Sequence, residues 1–185
     1  MPLLDADARL ALLHRARAAI ARAIGAPSTP TPTSIPDPQS PIPQGLRAGA
    51  FVTLRLRGAL RGCIGYPEPE LPLVEVVERC AVSAAISDPR FAPLSAAEWS
   101  EVDLEISVLG PIEPVNSLDD VVVGRDGLIV ESERGRGLLL PQVAVEWKWD
   151  AAEFAAQTCI KARLSRDAWQ KDAKLFKFEA EVFGE

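Results

Sequence analysis

The stretch "LRGCIG" at residues 60–65 sets one thiol, Cys63, two positions after a guanidinium, Arg61, with glycines close on both sides. In an extended strand Arg61 and Cys63 share one face while Gly62 and Ile64 take the other. A cation beside a thiol favours the thiolate, the form that attacks an electrophile. Nucleophilic cysteine chemistry also calls for a base or for oxyanion donors. The chain has one histidine, His14, in an Ala/Arg-rich segment, so a site needing two imidazoles is excluded. The group best suited by type to acid/base work is Glu105, in a row of alternating carboxylates with Glu101 and Asp103. If the two strands pair side by side, Arg61 meets Glu105 across them, and Cys63, Arg61 and Glu105 form the candidate catalytic set of one polar cleft.

A structural reading stands beside each of these. Free cysteines are among the most buried residues and act as small hydrophobes, and Gly62 and Gly65 would permit a close backbone approach or a bulge. The carboxylate row also reads as the solvated face of an antiparallel sheet. Alternate residues on a strand lie about 7 Å apart, so one metal ion is poorly served by all three carboxylates, and no metal or cofactor is expected.

The elements that must position these residues follow from periodicity. Leu10, Leu13, Ala16, Ile20 and Ile24 form one stripe at helical spacing, closed by Gly25. Residues 27–43 carry seven prolines and read as a loop or tether, with a PxxP ligand as the functional alternative. "AFVTLRL" and "ALRGCIG" read as a hairpin turning at Arg57 and Gly58. Residues 72–86 read as a helix with Cys80 in its apolar face, and "EVDLEISVLG" as a strand with Val102, Leu104, Ile106 and Val108 on one side. A second hairpin is expected around Asp126 and Gly127, and a short helix after Pro141. A longer helix is expected to start at Asp150 with Glu153, and a last strand to line up Phe176, Phe178, Ala180 and Val182. Arg90 and Gln142 are expected to cap carbonyls or face a cleft. Trp147, Trp149 and Trp169 are expected to be packing aromatics. Strands in hairpins rather than βαβ units point to an α+β fold with a largely antiparallel sheet and packed helices.

Composition limits the function. A chain of 185 residues, 48% hydrophobic and 25% charged, can bury a real core, and its formal charge of −6 offers no footprint for nucleic acid. No apolar run nears the roughly 18 residues needed to cross a bilayer, and the first residues mix Asp and Arg through their apolar positions, unlike a signal peptide. Cys63, Cys80 and Cys159 are widely spaced with no CxxC, so neither a disulfide framework nor a zinc site is expected. A cytoplasmic protein fits these features. No phosphate-loop or dinucleotide fingerprint occurs.

The ordered set "GAFVTLRLRGALRGCIGYP", "DPRF", "LEISVL", "GRDGLIV", "GLLLPQVAVEWKWD" and "CIKARL", with Trp169 and a terminal "VFGE", resembles the AMMECR domain family. The resemblance implies one α+β domain with a larger and a smaller lobe and no settled biochemical activity. The resemblance runs from about Gly49 to Glu185, so the chain reads as one such domain, with residues 1–25 as an N-terminal helix belonging to it, 26–48 as a proline-rich loop or tether individual to this chain, and 49–185 as the remainder. Members are often encoded beside a Memo-like protein and a radical SAM enzyme, the AmmeMemoRadiSam system, of which this chain is similar to component A. An accessory or binding role with those partners is therefore implied, beside the enzyme reading. One departure is Arg163, where the family usually has Gly, at a local helix end.

Overall fold

The structure, a computed structural model, describes residues 3–27 and 41–185. The proline-rich stretch expected as a tether therefore lies largely outside the described residues. Within them the chain forms two compact units, residues 1–108 with 181–185, and residues 109–180.

In the first unit, helix α1 (Ala6–Ile24) begins where the Asp5 side chain accepts the Ala8 N–H at 2.8 Å and ends at Gly25, whose φ of 68° is the left-handed cap that glycine adopts freely. Its buried stripe is Ala8, Leu12, Leu13, Ala16 and Ile20, rotated from the expected one, and Leu10 is exposed. The helix packs on α2 (Leu73–Ile86), Arg9 reaches Glu181 at 2.6 Å and Arg17 reaches Glu185. Strands β1 (Ala50–Leu56), β2 (Ala59–Tyr66) and β3 (Val102–Leu109) pair antiparallel in the order β2-β1-β3. Helix α2 (Leu73–Ile86) lies against β1, β2 and α1. Val52, Leu54, Leu104 and Ile106 project from one sheet face into a core with Leu12, Ile20, Leu73 and Val77, as alternation requires.

In the second unit, β5 (Asp126–Ser132) and β6 (Gly135–Leu139) form a hairpin, β5 pairs with β7 (Lys174–Gly184), and the two-residue β4 (Glu113–Pro114) pairs with β7 as well. The hairpin turns at Glu133 and Arg134, not at Asp126 and Gly127. Asp126 is instead the first residue of β5, with its buried carboxylate accepting the Val122 N–H at 2.8 Å, and Gly127 leaves room for the Phe178 ring. An Asp-Gly pair signals a turn only where nothing bulky needs the space. Helices α3 (Pro141–Glu146) and α4 (Ala151–Lys161) follow as expected, α4 capped by Asp150 accepting the Glu153 N–H at 2.8 Å. Phe154, Ala155 and Cys159 of α4 pack with Leu128, Val130 and Leu175. Arg163, just past α4, has φ 60°, the conformation glycine would take there without strain.

Two expectations about apolar residues are corrected. Val182 is 43% exposed, while Phe183, of opposite parity, packs against the first core. Trp147 is 67% exposed and stacks on Trp149 with ring centroids 6.0 Å apart, whereas Trp149 and Trp169 pack against the second core. No helix among the described residues is long and apolar enough to cross a membrane.

Candidate functional site

The first hairpin decides what surrounds Cys63. Its two-residue turn has φ 51° at Arg57 and 81° at Gly58, the positive values that match the twist of paired strands. Counted back from that turn without interruption, Cys63 would face Val52 on the core side of the sheet. The pairing instead slips by one residue between Leu54 and Arg55, leaving Arg61 as an extra residue in β2. Such a bulge re-aims side chains next to it. Gly62 now sits opposite Leu54, against α2, where an added Cβ would run into the Ala84 carbonyl oxygen. Cys63 sits opposite Thr53, on the other face.

That register builds a polar row. Thr53 is paired with Cys63 on one side and with Glu105 on the other, so the three stand in line across β2, β1 and β3. The Thr53 hydroxyl donates to the Cys63 sulfur at 3.3 Å. Two strand spacings, about 10 Å between Cα atoms, separate Cys63 from Glu105, and Thr53 fills the gap. Ser107, two residues beyond Glu105, is buried with its hydroxyl oxygen unpartnered.

Cys63 lies on a strand that borders only β1 among the described residues. Facing Thr53 as a non-hydrogen-bonded pair, it turns its own N–H and C=O outward, away from β1. Both are satisfied by the "DPRF" loop. The Cys63 N–H donates to Asp88 Oδ2 at 2.9 Å, and Arg90 Nη2 donates to the Cys63 carbonyl at 3.1 Å. Arg90 also grips Asp88 through Nε at 3.0 Å, Nη2 at 2.7 Å and its own backbone N–H at 3.1 Å. The Arg90 guanidinium, helped by the backbone donors, holds the buried Asp88 carboxyl well below the usual carboxylate range. Asp88 and Arg90 thus do for one residue of the edge what another strand would do.

Arg61 does not meet Glu105. Its guanidinium is bidentate to Glu98, Nε to Oε1 at 2.9 Å and Nη2 to Oε2 at 3.2 Å, and Nη1 donates to the Ala92 carbonyl at 2.9 Å. Glu98 also accepts the Ser95 N–H and hydroxyl, and with Arg61 first among the causes its carboxyl is lowered to about 2. The expected cross-strand pair fails because the bulge falls on Arg61 itself and β1 intervenes between β2 and β3. In the carboxylate row, Glu101 binds Arg57, Asp103 lies opposite Arg55, and Glu105 opposite Thr53.

Sequence reasoning placed Cys63 and Arg61 correctly in a hairpin strand but missed Thr53, Asp88, Glu98 and Ser107. Arg90, expected to cap a carbonyl or face a cleft, does cap a carbonyl, that of Cys63. Gln142 Oε1 is buried with no partner. Of the three cysteines, Cys63 is partly exposed while Cys80 and Cys159 are buried, and burial pushes the Cys80 thiol up to about 11. His14 is exposed on α1. Among the described residues no cluster of three metal-ligating side chains occurs.

Comparison with known proteins gives a consistent result. The AMMECR1 family model matches residues 13–183. A protein of Methanothermobacter thermautotrophicus is 51% identical over 146 residues, covering 75% of this chain and 76% of its own length. One from Thermococcus gammatolerans is 51% identical over 150 residues, covering 75% of this chain and 73% of its own. Among solved structures, the uncharacterized protein PH0010 from Pyrococcus horikoshii superposes with a TM-score of 0.87 at 40% identity, over 98% of this chain and 93% of that one. With a family match across nearly its whole length and relatives about half identical over three quarters of it, the chain belongs to the AMMECR1 family.

Proposed function

We propose that this chain is a cytoplasmic binding or accessory component that acts with a Memo-like protein and a radical SAM enzyme. The observation that carries the reading is Trp147, 67% exposed and held flat against Trp149, with Val145 of the preceding helix also 55% exposed. Exposing an indole to water forgoes one of the largest burial gains of any side chain, and tryptophan is enriched where partners dock. The charges around Cys63 support the same reading, since Arg61 is engaged by Glu98 and Arg90 by Asp88, so neither is free to act on a substrate beside the thiol.

The test is co-purification at micromolar concentration with the Memo-like and radical SAM proteins encoded in the same genome. A complex with one of them is expected, and Trp147→Ala is expected to weaken it about thirtyfold or more, the effect of a hot spot of about 2 kcal/mol. No complex with either protein, or a complex indifferent to Trp147→Ala, refutes it.

A second reading is favoured by one observation. Cys63 alone of the three cysteines has solvent access, and it receives a hydrogen bond from Thr53. In that reading Cys63, with Glu105 two strands away, attacks a small electrophile. Resistance of Cys63 to alkylating reagents until the protein unfolds would remove it.

A further inference from the structure

The second unit contains a cavity of about 330 Å³, between the 114–118 segment, the turn at Ala168–Gln170 and the start of β7. That volume lies at the small end of the range for metabolite pockets. Its position follows from local structure. Val115 donates its N–H to the Leu175 carbonyl at 2.9 Å, and Pro114 pairs with Phe176, so the segment runs along β7. The neighbouring turn buries Ala168 in the second core and leaves Trp169 half-buried at the cavity wall.

The walls divide by chemistry. Trp169, Phe176 and Leu118 supply flat and apolar surface, while Lys174, Asn116 and Ser117 supply polar groups. No acidic side chain lines the cavity. Lys174 shares a face of β7 with Phe176, by alternation. The nearest acids by position are engaged elsewhere: Glu131, opposite Lys174 in the sheet, pairs with Arg136 at 3.4 Å, and Asp172 pairs with Arg134. Asp120 accepts the Ser117 N–H at 3.2 Å, and the Ser117 oxygen accepts the Asp119 N–H, which leaves the Ser117 hydroxyl proton free to be donated. No ion pair or side-chain hydrogen bond holds Lys174 among the described residues.

We propose that this cavity binds a small aromatic carboxylate, its ring against Trp169 and Phe176 and its carboxylate on the Lys174 ammonium and the Ser117 hydroxyl. An aromatic wall alone would accept any flat molecule, and a lone lysine any anion. Their placement in one cavity without an acid selects a ligand with both features. This site goes beyond the accessory role proposed above and does not depend on it.

The test is saturation-transfer NMR on the full chain with benzoate as the probe and benzyl alcohol, its uncharged analogue, as the comparison. Benzoate is expected to receive saturation and to saturate its site in the millimolar range, with benzyl alcohol weaker. Lys174→Gln, at an exposed position, is expected to weaken benzoate about two- to fivefold, as for an exposed charge pair, and to leave benzyl alcohol unchanged. Trp169→Phe, which keeps an aromatic wall, is expected to weaken both. Failure of benzoate to bind, or equal benzoate affinity in the parent chain and Lys174→Gln, overturns the proposal. Because Lys174→Gln does not disturb the core, the result stands even if Trp169→Phe loosens the unit.

Discussion

Removing the Asp88 carboxylate tests the account of the Cys63 strand most directly. In Asp88→Ala, the Cys63 N–H and the Arg90 backbone N–H lose acceptors that now lie at 2.9 and 3.1 Å. A hydrogen bond to a charged group contributes about 1.5–3 kcal/mol net. The Arg90 side chain is 54% exposed, so water replaces much of what its guanidinium loses, while the carboxylate it leaves was 2% exposed. We therefore expect a loss of about 2–4 kcal/mol, less than the 3–5 kcal/mol of a fully buried pair. The pH dependence has a definite sign. The folded Asp88 carboxyl sits below its unfolded value near 3.9, so as pH falls through that value the unfolded chain takes up a proton first. Its stabilisation is therefore complete above about pH 5 and declines below about pH 4. The difference between the parent and Asp88→Ala must then shrink on going from pH 7 to pH 3. Urea unfolding gives the total, and hydrogen exchange at the Cys63 amide reports on the first unit alone. A destabilisation under about 0.5 kcal/mol at pH 7, or a difference constant with pH, would show that the loop does not secure this edge.

Three other outcomes are expected. Iodoacetamide at pH 8 should label Cys63 in the native protein and spare Cys80 and Cys159, which burial shields and whose thiols it raises; peptide mass spectrometry resolves the three, and equal labelling would contradict the burial. Gly62→Ala should cost at least about 1–3 kcal/mol in thermal or urea unfolding, the usual toll of overpacking, since the new methyl meets the Ala84 carbonyl; a neutral change would mean that α2 shifts freely. Glu98→Gln keeps the shape but removes the charge facing Arg61 and should destabilise by about 1 kcal/mol at pH 7, with the difference fading as pH falls below the ordinary carboxylate range, because the folded Glu98 carboxyl lies at about 2.

Much of the fold was legible because each element carries its own period. The alternation of Val102, Leu104, Ile106 and Val108, the Asp150 cap and the Arg57-Gly58 turn needed no distant information. The candidate site was legible only in part. Cys63 and Arg61 stand out by type, yet their neighbours depend on a one-residue slip, which Gly62 and Gly65 permit without fixing where it falls. Asp88 and Glu98 come from loops whose residues read as ordinary turn formers, and only the position of the β2 edge shows what they hold. The stripe of α1 failed at Leu10 because alanines dominate that helix, and small side chains, buried at Ala8, Ala16, Ala18, Ala19 and Ala21, mark its inward side only weakly. Trp147 failed for a different reason: it is the residue that ends the short helix α3, where no period marks which way a side chain faces.

The extra residue at Arg61 acts as a parity switch. Side chains on a strand have only two destinations, so leaving one residue out of the pairing exchanges inside for outside, relative to unbroken pairing, for every position beyond it, up to Tyr66. With Arg61 paired regularly opposite Leu54 instead, the same letters would turn Cys63 inward and leave Ile64, now packed with the core, facing the polar row. The chemistry offered by this hairpin is thus set by its register rather than by a residue type, and the same strand paired without the bulge would present an aliphatic surface in place of a thiol.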